Sequence, residues 1–95
     1  ALTGVLKDNA MELVWRAVPP APAALADRAL DAAMAHVAAQ GVTAVHHMGS
    51  WDDLAIFERA HAQGRLRTRI HAAVPLATWA RLRDTVAARG RGDAW

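Results

Sequence analysis

The residues of this chain best suited to chemistry stand at the end of Gly41-Val42-Thr43-Ala44-Val45-His46-His47-Met48-Gly49-Ser50. Two successive imidazoles can line a substrate pocket, move protons near neutral pH or bind a metal. Adjacent strand residues project to opposite faces, however, so His46 and His47 cannot readily chelate one ion. The alternative packs one of them under a helix and holds the other in the loop. His71 can neighbour the pair from an adjoining strand or serve as a packing histidine. His36 and His61 fall in helical stretches, where packing or solvent exposure is the default. Asp52 and Asp53, with Glu58 behind them, resemble an acid pair, but capping and the helix dipole explain acids in a first helical turn equally well. Arg65, Arg67 and Arg69 form a basic strip that phosphates can use. No aromatic platform accompanies it, which favours a sheet-edge or ion-pair role. There is no nucleophile elbow, phosphate loop or dinucleotide glycine pattern. No catalytic residue and no metal ligand is therefore assigned, and His46 and His47 remain the pocket-lining candidates.

The elements that position these residues follow from periodicity and punctuation. Asp8 can cap a helix over 9–18, with Met11, Val14, Trp15 and Val18 on one face. Pro19 and Pro20 stop it. Residues 23–40 are nearly all good helix formers, with Leu30, Met34 and Val37 on one stripe and Asp27, Arg28 and Asp31 elsewhere on the surface. Gly41 ends that helix, and a strand over 42–48 follows. Ser50 and Asp53 make a relative of the capping box that opens a helix over 51–63, closed by Gly64. A strand over 66–74 alternates Leu66, Thr68, Ile70, Ala72 and Val74 with Arg67, Arg69 and His71. Pro75 ends it, and a helix over 77–89 carries Trp79, Leu82, Arg83 and Val86 inward before Gly90. The tryptophans at 15, 51 and 79 read as core or edge-covering residues. Strands joined by helical crossovers of about 15 residues imply a parallel α/β arrangement. Two parallel strands leave both edges open, so pairing with a second copy through those edges is expected.

Composition bounds the rest. Ninety-five residues allow one small domain or part of a larger one. The 54% hydrophobic content is rich in alanine, so the four tryptophans must supply much of the packing. The absence of cysteine excludes disulfides and thiolate metal sites and is compatible with a cytoplasmic setting. No run approaches the roughly 18 apolar residues of a membrane helix, and no membrane association is expected. The net charge of +2 hides an asymmetry: four basic against seven acidic residues over 1–63, and seven against two over 64–95. That basic third admits weak nucleic-acid contact as a third reading, although ten arginines to one lysine also fit a GC-rich coding sequence.

The stretch from Gly41 to Gly49, with Gly64-Arg65-Leu66-Arg67-Thr68-Arg69-Ile70 one helix later and then Pro75-Leu76 and Trp79, resembles the amidohydrolase superfamily. The likeness is greatest to its family 3 branch of metal-dependent hydrolases, which includes N-substituted formamide deformylase-like proteins. Gly4-Val5-Leu6-Lys7-Asp8-Asn9-Ala10-Met11 looks like the segment before the second barrel strand, and Gly92-Asp93-Ala94-Trp95 like the approach to the next one. The resemblance thus spans essentially the whole chain. It implies a (β/α)₈ barrel that hydrolyses amide, formamide or cyclic C–N bonds with one or two zinc-like divalent metals, which activate water and polarise the carbonyl. Such a barrel takes about 250 residues, so the resemblance implies a slice holding strands two and three. The family's ligands are a His-x-His pair on the first strand, a carboxylated lysine on the fourth, histidines on the fifth and sixth and an aspartate on the eighth. All fall on other strands, which implies no cofactor in this chain, a divalent metal in the intact parent, and a small amide substrate only there. His46 and His47 would be pocket wall. The family usually reads Val-His-Asp where this chain has Val45-His46-His47, so any role of that aspartate does not carry over. The rival reading is a small α/β oligomerising or interaction module without enzymatic activity.

Overall fold

The computed structural model describes residues 4–92. They run as a 3-10 turn (Asp8–Met11), α1 (Glu12–Trp15), α2 (Ala23–Ala39), β1 (Ala44–Met48), α3 (Trp51–Ala62), β2 (Arg69–Ala73), a 3-10 turn (Leu76–Thr78) and α4 (Trp79–Arg89). The fold is α/β: four helices and a two-stranded parallel sheet. No helix among the described residues is long and apolar enough to cross a membrane.

The sheet pairs Ala44 with Arg69, Val45 with Ile70, His46 with His71, His47 with Ala72 and Met48 with Ala73. Both strands are shorter than their apolar alternation predicts, because the ladder survives only where both chains stay extended together. Its ends are marked by Arg69 N donating to Thr43 O (3.1 Å) and Gly49 N donating to Ala73 O (3.3 Å). Along each strand, exposed and half-buried residues alternate. Val45, His47, Ile70 and Ala72 turn toward the helices, while Ala44, His46, Met48, Arg69, His71 and Ala73 form an open face.

Helix ends follow local chemistry closely. At the end of α2, Gly41 takes φ 77°, its N–H reaches Ala38 O (2.9 Å), and the N–H of Val42 reaches Val37 O (3.0 Å). This double closure satisfies carbonyls that the helix leaves orphaned and turns the chain into β1. Gly64 repeats it after α3, with bonds from Gly64 N to His61 O and from Arg65 N to Ala60 O.

Two expectations for the helices are corrected. The helix over 9–18 is reduced to a 3-10 turn and the single turn α1, and Trp15 is 64% exposed. Its apolar stripe finds no core to cover, and a short helix gains little from propensity alone. Asp8 lies inside that turn at φ 53° and does not cap it. At the other end, Thr78 folds back on Pro75, its N–H and its hydroxyl both donating to Pro75 O (2.8 and 2.6 Å), so the α-helix begins only at Trp79. Trp79 is 59% exposed and Arg83 is exposed, leaving Val86 as the half-buried residue of the inner stripe. The approach to a further strand at Asp93-Ala94-Trp95 lies outside the described residues.

α2 and α3 are tied together by charge as much as by volume. Arg59 grips Asp27 through Nη2 (2.6 Å) and Nε (3.1 Å), and Arg65 reaches Asp31 (2.6 Å) and, more distantly, Asp27 (3.7 Å). The Arg59 hydrogen bond holds the Asp27 carboxyl below the usual carboxylate range. Asp31 is exposed and Asp27 half-buried, and the pairing with arginine is invisible locally because 32 residues separate Asp27 from Arg59.

Among the described residues, Met34, Ala60 and Thr68 are the buried ones. Met34 inserts from α2 toward the α3–β2 connection, where its sulfur accepts from Arg67 N at 3.4 Å. Alanine on the facing side of α2 leaves a groove of about 480 Å³ bounded by Leu30, Met34, Val37, Phe57 and Ile70. The radius of gyration is 15.9 Å, against about 12 Å for a compact chain of this length. The accessible surface is 7764 Å², where a folded 10.2 kDa monomer exposes about 5,300 Å². Met34→Ala is expected to cost about 2–5 kcal/mol, as loss of a buried large side chain does, measured as the shift in a urea unfolding midpoint.

Candidate functional site

β1 divides the two candidate histidines between opposite faces of the sheet. His46 stands on the open face directly across from His71, the rings 4.9 Å apart between centroids and tilted by 32°. That spacing matches the separation of neighbouring strands, so the register itself brings the two imidazoles side by side. Both are exposed, and Arg69 occupies the same face two residues before His71.

His47 points the other way. Its ring meets Phe57 of α3 edge-on at 4.9 Å and 89° and borders the groove under α2. Its Nε2 lies 3.3 Å from Asp53 Oδ2. This nitrogen is buried, and its approach to the carboxylate lies off the line of a hydrogen bond. Asp53 spends its carboxylate on the start of α3: Ser50 N and Ser50 Oγ both donate to Oδ2 at 2.8 Å, while Asp53 N donates to Ser50 Oγ at 3.2 Å. This is the reciprocal capping box that the Ser50 and Asp53 spacing predicts. The Ser50 hydroxyl, then its backbone N–H, then His47 lower the Asp53 pKa.

Gly49 makes this corner possible. A Cβ there would overlap the His47 ring and come within 2.5 Å of Asp53 Oδ2. Space, not backbone angle, demands the glycine. Ser50, Asp53 and His47 are together, but the aspartate sits between the other two. The serine hydroxyl thus meets a carboxylate and not the imidazole, and the cluster lacks the connectivity of a nucleophilic triad.

The remaining candidates separate. Glu58 pairs with Arg89 of α4 at 2.9 Å, and Asp52 is exposed in the first turn of α3. His36 and His61 are exposed on their helices. The three arginines form no continuous strip: β2 begins only at Arg69, Arg65 is bound to acids of α2, and the Arg67 backbone meets Met34. On the far side of α3, Trp51 Nε1 donates to Thr78 Oγ1 (3.0 Å) and Arg81 lies 3.9 Å over the Trp51 ring, seating α4 against α3. Sequence periodicity does not reach this seat, since Trp51 and Thr78 lie in different elements. Among the described residues, no three or more His, Cys, Asp or Glu side chains converge as a metal cage.

No protein-family profile, no curated protein and no solved structure matches the chain significantly.

Ser50→Ala is expected to cost about 0.5–2 kcal/mol, the usual loss for an N-cap hydroxyl, and Gly49→Ala more, both read from urea midpoints. The native state favours ionised Asp53, so its stabilisation is complete above the unfolded value of about 3.9. It is lost as pH falls through the lower folded value. Asp53→Asn should flatten that part of the acid decline in stability, measured between about pH 6 and pH 2.

Proposed function

We propose that the chain is a two-unit segment of an amidohydrolase-like (β/α)₈ barrel that acts on non-peptide C–N bonds, with the open sheet face as wall of the barrel interior. The observation that carries this reading is one-sided cover. α2 and α3 lie on the Val45, His47 and Ile70 face, and α4 flanks α3 through Trp51–Thr78 and Glu58–Arg89. A doubly wound sheet places helices on both faces, whereas a barrel keeps them in one outer ring. On this reading His46 and His71 line the interior near the C-terminal strand ends, where barrel enzymes hold substrate. His47 belongs to the layer between strand and helix.

The described residues offer no ligand set for the catalytic metal of that family, so no catalytic step is assigned to them. The test lies in the coding frame around the segment. A His-x-His motif upstream and further histidines and an aspartate downstream are expected, together with no turnover of N-substituted formamides by the 95-residue chain. A frame lacking those ligands, or turnover by the chain itself, would overturn the reading.

A second reading, self-association, has its own support. The exposed area exceeds that of a compact monomer by about 2,400 Å², while a stable interface buries about 1,200–2,000 Å² in total. Met48 at 88% and Leu76 at 85% exposure lie in that uncovered surface, beside open strand edges. The isolated chain is expected to form a homo-oligomer whose size rises with concentration. Monodisperse monomer throughout a light-scattering dilution series would dismiss this.

A further inference from the structure

We propose that His46 and His71 form a two-histidine binding site for a late first-row transition-metal ion such as Cu²⁺, Ni²⁺ or Zn²⁺. The site is built by register. Each histidine is the other's partner across the parallel ladder, and alternation turns both to the same open face. The ring centroids are 4.9 Å apart.

A tetrahedral ion with metal–nitrogen bonds of about 2.0–2.1 Å needs its two donors about 3.3 Å apart. Ring rotation about χ2, a broad and soft torsion, brings one nitrogen of each imidazole to that separation without moving the backbone. Exposure leaves the remaining coordination positions to water, so the site is open and exchangeable, unlike a closed structural zinc site. It also differs from the caged metal of amidohydrolases, for which the donors here are too few.

Ligand chemistry sets the selectivity. Imidazole suits zinc, copper and nickel, whereas magnesium and calcium demand oxygen donors. Arg69 places a positive charge on the same face, which disfavours ions held by charge alone. The ion must be won by coordinate bonds. This inference stands apart from the barrel reading, because both rings belong to the chain itself and no turnover enters its test.

The experiment titrates the untagged chain with Zn²⁺, Ni²⁺, Cu²⁺ and Mg²⁺, following histidine ring resonances by NMR and stoichiometry by calorimetry. One Zn²⁺ per chain is expected, with the His46 and His71 signals moving and His36 unmoved. Cu²⁺ should bind tightest, following the divalent series, and Mg²⁺ should leave both rings unchanged. His46→Gln and His71→Gln should each weaken Zn²⁺ binding by about tenfold or more, through loss of the two-donor advantage. His36→Gln should not, and circular dichroism would establish that all three variants keep the fold. Unmoved His46 and His71 signals at millimolar Zn²⁺, Gln variants that bind as the parent does, or one ion shared between two chains would overturn the proposal.

Discussion

The parallel pairing of β1 with β2, with helices on only one of its faces among the described residues, is the constraint on which the other features rest. Register places Val45 against Ile70 under the helices and His46 against His71 in the open. A slip of one residue would exchange the two faces, because side chains alternate with a period of two. The apolar set would then meet solvent and the histidines would be forced under α2 and α3. Burial of one face therefore also specifies what the other presents.

The turn after β1 converts that register into a fixed corner. Gly49 allows His47 and Asp53 to close together, the capping box starts α3, and α3 carries Phe57 back onto His47. His47, which borders the groove, thereby also joins strand to helix. Its neighbour His46, one residue earlier, keeps its ring free of helical cover. The division between a half-buried and an exposed imidazole is a consequence of the pleat.

Elsewhere polar ties take the place of bulk. α2 is so rich in alanine that it approaches the sheet without filling the space beneath it, and Asp27 and Asp31 hold Arg59 and Arg65 across the joint. α4 is likewise seated by Trp51–Thr78 and Glu58–Arg89. Such links orient helices but exclude little water, and partly exposed ion pairs contribute little net stability. The large exposed area and extended dimensions follow from this economy of apolar volume.

Elements governed by nearby residues were legible in the sequence. The stripe Leu30, Met34 and Val37 sets the inner face of α2, Gly41 and Gly64 end their helices, and the Ser50 and Asp53 spacing starts α3. In each case the interaction spans only a few residues. The parallel α/β class was legible too, from crossover lengths. Tertiary structure alone decided the Asp27–Arg59 clamp, the Trp51–Thr78 seat, the exposure of Trp15 and Trp79, and the facing of His46 with His71. A helical stripe states which side prefers burial but cannot say whether a partner surface exists. The alternation of a strand says which residues share a face, while only the register with its neighbour determines which ring each one meets.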